Sequence, residues 1–255
     1  GNIISYDASG NPVAIATGSD GQILTSAGAG APPAFEDAAG GGFANVAVYQ
    51  STGTHNWDWS ASGSPGVVYF CGVGGGGGSG NAQEGNGGPS GTSSGGGGGG
   101  TCLFVPITVT GDLVITVGTA GDGGYHSAGI GGGYADAGGT GGDTKVTQSG
   151  TMLVKAGGGG GSPSAGRGTG TGGVGAAGQA RLANGSKCGI DGFGQAAGSG
   201  STGSQGNAQS GTGGPGGQSI WSYFGTGGDG NSSGIQGTQY NGGKAGTEGV
   251  AMLYW

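Results

Sequence analysis

The sequence predicts a mainly β protein with polyglycine II helices: a small antiparallel β assembly joined to a glycine-rich polyglycine II sandwich, with almost no α-helix. Three observations lead there. Glycine supplies 78 of the 255 residues. Apolar residues are gathered into short blocks with strand-like spacing. In the C-terminal part, glycine recurs with a period of three. Taking every third position from 213 to 249 gives nine glycines in 13, against about four from composition alone.

Glycine costs roughly 0.5–1 kcal/mol more than alanine to order in regular structure, so fixing 78 of them costs on the order of 40–80 kcal/mol beyond an ordinary chain. Leu, Ile, Val and Phe number only 36, too few for an oily core throughout. A net charge of −7 does not keep the chain solvated either. Either the chain stays loose, as a disordered glycine-rich linker, or a dense backbone hydrogen-bond lattice holds it. Collagen is excluded, because it needs an unbroken glycine every third residue and abundant proline, and there are eight prolines. In the polyglycine II geometry the N–H and C=O groups point outward and must pair with neighbouring helices. Glycine at the facing positions lets the backbones approach.

Residues 1–42 form a distinct first part, with short extended pieces at Asn2 to Tyr6, Pro12 to Ala16 and Gln22 to Ser26. Turns at Gly10-Asn11-Pro12 and Asp20-Gly21 separate them. Glu36-Asp37 are expected in a turn after Pro32-Pro33. This part reads as an extended stalk, attachment or oligomerisation segment, and the start at Gly1 rather than Met reads as a processed or partial chain. Residues 43–255 form the second part. FANVAVYQ (43–50), HNWDWS (55–60), VVYFCGV (67–73), TCLFVPITVT (101–110), DLVITVG (112–118), TKVTQ (144–148), TMLVKA (151–156) and GVAMLYW (249–255) make about seven or eight strands. Phe43, Val46 and Val48 lie approximately to one side of the first; Trp57 and Trp59 share one face of the second. Gly111-Asp112 and Ser149-Gly150 read as hairpin turns. Because the last strand is C-terminal, the stretch 157–248 must leave the sheet and return. The glycine runs 74–78, 95–100 and 157–161 suit either the lattice or a flexible linker.

No constellation for catalysis emerges. The only histidines, His55 and His126, have no sequence-encoded partner, and G-x-G-x-x-G carries no information at this glycine content. Gly138 to Asp143 resembles the start of a calcium-binding nonapeptide repeat, but Lys145 stands at the apolar position and no tandem copy follows. Asp122, Asp136 and Asp143 keep a cation site open. Neither a metal nor a cofactor is expected. Cys71, Cys102 and Cys188 signal no disulfide framework, although Cys71 and Cys102 flank one glycine-rich excursion and could bridge. Residues 1–144 hold ten acids and no Lys or Arg, which argues against nucleic-acid binding. No apolar run is long enough to insert in a membrane as a helix.

The run Gly18-Ser-Asp-Gly21-Gln22-Ile23-Leu24-Thr25-Ser26 through Gly28, Gly30, Pro32 and Phe35 is similar to a GxxGQxLTSNGAGxAPxF segment that recurs in bacteriophage tail fibres; Ala27 stands where Asn is usual. Residues 43–255 resemble the glycine-rich domain at the ends of such fibres. The shared features are a strand ending in polyglycine (Val67 to Gly78), ITVG (Ile115 to Gly118), GGxGGDT (Gly138 to Thr144), AGGGGG (Ala156 to Gly161), GGxGGQS (Gly213 to Ser219) and a terminal apolar strand. The family's aromatic-Gly segment is here Trp221-Ser222-Tyr223-Phe224-Gly225.

The resemblance implies a non-enzymatic receptor-binding tip in the virion tail fibre, acting outside the cell. Its expected partners are a bacterial surface polysaccharide or outer-membrane protein and other fibre subunits in a homotrimer. Segments 80–94, 122–137, 181–195, 218–224 and 231–241, where glycine periodicity breaks, are the expected receptor loops. They carry Trp221, Tyr223, Phe224, Tyr125, His126, Tyr134 and Tyr240 as candidate contacts. Trp221, Tyr223 and Phe224 could instead staple the helices together. Alternative functions are a structural fibre or decoration segment without a receptor, and an ice-binding polyglycine II protein, against which the aromatic loops argue.

Overall fold

A computed structural model describes residues 3–26, 28, 31–37, 43–80, 95–124, 136–163, 178–190, 223–226, 228 and 243–255. Backbone contacts divide the chain into two units, Gly1–Ala44 and Asn45–Trp255. The described residues are mainly β and contain no helix; their sheets are antiparallel.

The described residues of the first unit form two hairpins. β1 (Ile3–Tyr6) pairs with β2 (Pro12–Ile15), and β3 (Gln22–Thr25) with β4 (Ala34–Asp37). The Asp7 carboxylate accepts N–H bonds from Ser9 and Asn11, both at 2.9 Å, and Gly10 takes the positive φ (80°) that closes the first turn. Glu36 and Asp37 lie in β4 rather than in a turn. The proline pair ends before Ala34, and Thr25 Oγ1 donates to Glu36 Oε2 across the ladder at 2.7 Å. Among the described residues of the motif that begins at Gly18, several have a local structural task. A Cβ on Gly18 would enter the Phe35 ring, Gly21 has φ 88°, Ser19 N–H donates to the Gln22 side-chain carbonyl at 2.9 Å, and Leu24 faces Phe35 across the pair.

Among its described residues the second unit holds nine strands in two sheets. β5 (Val46–Tyr49), β13 (Val250–Tyr254), β7 (Val67–Val73) and β8 (Thr101–Thr108) form one in that order. β12 (Ala180–Leu182), β11 (Thr151–Ala156), β10 (Thr144–Gln148), β9 (Leu113–Val117) and β6 (Gly53–Trp57) form the other. Period-two burial aims one face of each sheet at a shared apolar core. A row of Ala47, Leu253, Phe70 and Val105 from the first sheet contributes, as does a row of Ile115, Val146 and Val154 from the second. Trp57 closes the core edge-on against Trp255, with ring centroids 5.3 Å apart. Trp59, beyond the end of β6, packs on the same core and donates its indole N–H to Pro65 O at 3.0 Å. Val46 and Val48 do share a side, but it is the outer one; Ala47 and Tyr49 face inward.

Ser149-Gly150 is the expected hairpin turn, with φ of 48° and 80°, the paired positive values that match strand twist. Gly111-Asp112 is not a hairpin turn. β8 pairs with β7 while β9 pairs with β6 and β10, so the chain passes from one sheet to the other there. The Asp112 carboxylate fixes the crossing by accepting Trp59 N–H at 2.9 Å. Pro106 is tolerated because β8 is an edge strand.

From one end of the sandwich the strands continue as glycine-rich segments. Residues 74–80 prolong β7, 118–124 prolong β9 and 157–163 prolong β11, while 95–100, 136–143 and 243–249 lead into β8, β10 and β13. The segment 74–80 sits at the centre. Its N–H groups go in rotation to three neighbours: Gly74 to Gly100 O, Gly75 to Gly142 O, Gly76 to Thr247 O, then Gly77 to Gly97 O, Gly78 to Gly139 O and Ser79 to Lys244 O, all at 2.8–3.0 Å. Its carbonyls rotate the same way, those of Gly75 and Gly78 accepting from Gly159 and Ser162, and those of Gly76 and Ser79 from Gly121 and Gly124. Gly77 O accepts from Gly228. The neighbours 95–100, 157–163, 136–143, 118–124, 243–249 and 225–228 are each hydrogen-bonded to the next, and the last to the first. One segment is thus enclosed by a ring of six. Among the period-three positions between 213 and 249, the described glycines 225, 228, 243, 246 and 249 all donate N–H bonds within this lattice.

Close approach is what demands glycine. A Cβ on Gly75 or Gly78 would land on the carbonyl oxygen of Thr119 or Asp122, and one on Gly141 or Gly246 on that of Gly75 or Gly76. Backbone cannot swing aside as a side chain can, so Gly78→Ala should lower stability by roughly 3 kcal/mol through overpacking and lost hydrogen bonds. Gly66→Ala, where nothing lies near the added methyl, should stay within about 0.5 kcal/mol. Thermal melts of the two variants check the contrast.

Candidate functional site

The lattice has two ends, and the sequence-predicted loops relate to them differently. One end joins the sandwich. At the other, Gly80, Gly124, Ser162 and Gly243 come together. Gly80 N–H donates to Ser162 Oγ at 2.6 Å, Gly124 N–H to Ser79 O at 2.8 Å and Gly243 N–H to Gly124 O at 2.9 Å. Lys244 N–H donates to Ser79 Oγ at 2.7 Å. Ser79 and Ser162 are fully buried, so their hydroxyls serve the lattice, not solvent. The segments 81–94, 125–135 and 229–242 all have a root in this cluster, as the chain leaves at Gly80 and Gly124 and re-enters at Gly243. Three of the sequence-predicted loop stretches are therefore anchored side by side. Asp122, Asp136 and Lys244 are exposed near these roots, giving that end charges of both signs.

Tyr125, His126, Tyr134, Trp221 and Tyr240 lie outside the described residues. Tyr223 is 85% exposed and Phe224 half-buried. They are held at the sandwich end, because Gly225 donates to Glu248 O at 2.8 Å and accepts from Gly99 at 2.7 Å, immediately before β13 and β8. Tyr223 and Phe224 are thus separated by the length of the lattice from the roots of the three loops. The sequence pointed to aromatics in glycine-poor stretches; it gave no signal of which lattice end each would occupy.

The outer face of the four-stranded sheet is a feature sequence reasoning missed. Val46, Tyr254, Tyr69 and Pro106 form one outward row and Val48, Met252 and Cys71 the next. Phe104, at a bulge with φ 46°, leans on Tyr254 with ring centroids 5.4 Å apart. The signal was present in the alternation of VAVY and VVYF, but those patterns do not say which face turns inward.

Asp143 has a structural role. It accepts from Lys155 Nζ and from Gly158 N–H, both at 2.9 Å, where β11 enters the lattice. His55 bonds to Ser51 O at 2.8 Å and stacks at a tilt on Tyr49. Among the described residues no three of His, Cys, Asp or Glu converge as metal ligands, and no helix is long and apolar enough to cross a membrane. No protein-family model matches the chain, and no curated protein matches it either.

Partial burial raises the Asp143 pKa, but the Gly158 N–H, the Lys155 ammonium and nearby Lys145 outweigh it, so the carboxyl ends below its ordinary 3.8. A lowered folded-state pKa gives stability that is present above the ordinary value and lost as pH falls through the folded one. Asp143→Asn should therefore lower the melting temperature at pH 6 and narrow its difference from wild type at pH 2; calorimetry at the two pH values checks this.

Proposed function

We propose that the chain is the non-enzymatic receptor-binding tip of a bacteriophage tail fibre, in which a rigid polyglycine II lattice presents loops to a bacterial surface polysaccharide or outer-membrane protein. The observation that carries this reading is the common anchorage of 81–94, 125–135 and 229–242 at the lattice end remote from the sandwich. The polyglycine II assignment rests on the donor rotation in 74–79, where every third N–H faces the same neighbour, as expected of three residues per turn. At about 3.1 Å per residue, the six residues from Gly74 to Ser79 would hold the loops roughly 15–20 Å beyond the sandwich. Roots locked by mutual hydrogen bonds lower the ordering cost of the loops they carry, which favours affinity. No covalent chemistry is required of such a site. The tail-fibre assignment itself rests on the resemblance of the Gly18 to Phe35 run and of the glycine-rich domain.

The same reading takes the assembly to be a homotrimer, and the first unit supports association between subunits. Isolated two-stranded hairpins are marginal in water, and Ile3, Ile4, Tyr6, Ile23 and Leu24 are exposed on them. Fibre subunits that intertwine would cover these side chains.

Replacing 81–94 or 229–242 by a short Gly-Ser linker should leave the melting temperature nearly unchanged and reduce adsorption to host cells at least tenfold. Binding to intact and polysaccharide-stripped cells separates the two receptor classes. Tyr223→Ala, at the opposite lattice end, should adsorb normally; loss of adsorption in that variant alone would move the site to the sandwich end. A wild-type domain that binds no host cell would favour a purely structural fibre segment.

A further inference from the structure

Two thiols meet where the open sides of the sandwich come together. Cys102 lies in β8, the edge strand of the four-stranded sheet, and its side chain belongs to the shared core. Cys188 follows β12, the edge strand of the five-stranded sheet. Their sulfurs are 3.6 Å apart although the residues are separated by 86 positions. The approach is held by a reciprocal backbone pair, Thr101 N–H to Ile190 O and Ile190 N–H to Thr101 O, both 2.8 Å, and by Cys188 N–H to Ala180 O at 3.3 Å. Gly189 makes it possible: a Cβ there would press on Thr101 O and on Cys102 Cα.

Cys71 does not share this arrangement. Gly72, not Cys71, faces Cys102 across the ladder, so side-chain alternation puts the Cys71 and Cys102 thiols on opposite faces of the sheet. Cys71 Sγ instead accepts Phe104 N–H at 3.1 Å. The Cys71–Cys102 bridge that the sequence left open is replaced by a different pair.

We propose that Cys102 and Cys188 are an oxidisable pair that forms a disulfide stapling the two sheets together when the protein meets a small-molecule disulfide such as oxidised glutathione. The sulfurs must close from 3.6 Å to about 2.05 Å, and the largely exposed turn 183–187 lets the Cys188 segment supply the movement. Cys188, half-buried, reaches solvent first, while Cys102 is fully buried. The Cys188 thiolate attacks one sulfur of the oxidant, whose S–S bond breaks to release one small thiol. Cys102 then gives up its proton and attacks Cys188 Sγ, releasing the second. Two protein thiols are oxidised and one small disulfide is reduced to two thiols. The second step is the slow one, because burial and the neighbouring sulfurs hold the Cys102 pKa far above the ordinary thiol value.

The test is incubation of the whole chain with oxidised glutathione, digestion without reduction and mass spectrometry of the peptides. A Cys102–Cys188 linked peptide is expected, with a melting temperature raised by about 10 °C. The shift should vanish on reduction with dithiothreitol, be absent in Cys188→Ser, and persist in Cys71→Ser. Cys188→Ser should melt close to the reduced wild type, which shows that it folds. A stable glutathione adduct at Cys188, a bridge to Cys71 instead, or two thiols that remain fully alkylatable after incubation would each overturn the proposal.

Discussion

The second unit depends on the backbone hydrogen bond between glycine segments that lie too close for any side chain. Each such bond contributes about 0.5–1.5 kcal/mol net, and each ordered glycine costs roughly 0.5–1 kcal/mol more than alanine. The two are similar in size, so the lattice gains little from any one contact and relies on completeness. Segment 74–80 shows what completeness means: six neighbours, with donors and acceptors used in turn. A methyl group at Gly75 or Gly78 would strike a carbonyl rather than a yielding side chain. The damage would spread to both segments.

A lattice of this kind has no side chains to define its register, and the sandwich supplies that definition. Strands β7, β9 and β11 run into it and β8, β10 and β13 return from it. The alternating directions of antiparallel strands pass directly into the segments. The apolar rows through Phe70, Leu253, Ile115 and Val146 fix each strand against its neighbours, since a one-residue slip would turn every inward side chain to solvent. The buried hydroxyls of Ser79 and Ser162 and the Asp143 carboxylate pin the lattice where glycine alone would leave sliding possible. Burial of Val, Leu, Ile and Phe at one end thus stabilises a structure at the other end that contains almost none.

Much of this was legible from the residues. The blocks that became β7, β8, β9, β10, β11 and β13 stand out because β-branched and aromatic residues cluster between glycines, and Ser149-Gly150 announced its hairpin. Gly111-Asp112 did not behave alike, because a turn dipeptide shows that the chain reverses but not whether the next strand joins the same sheet. β4 was hidden by the prolines before it and by Glu36-Asp37, whose polarity is tolerated on an exposed two-stranded ribbon. The candidate site was less legible. Glycine-poor stretches mark where the lattice is interrupted, yet only the hydrogen bonds at Gly80, Gly124 and Gly243 bring three of them together and hold Tyr223 and Phe224 apart from them.

The glycine content and its period of three, with too few apolar residues for a full core, determined by themselves that order must come from backbone pairing, because no other source of cohesion is available to such a composition. Which segment is central, which six enclose it, which face of each strand turns inward and which two of the three cysteines meet were decided only by the tertiary structure. Glycine has no side chain with which to name its neighbour. Partner choice passes to the few residues that do, and those act at distances along the chain that no local pattern records.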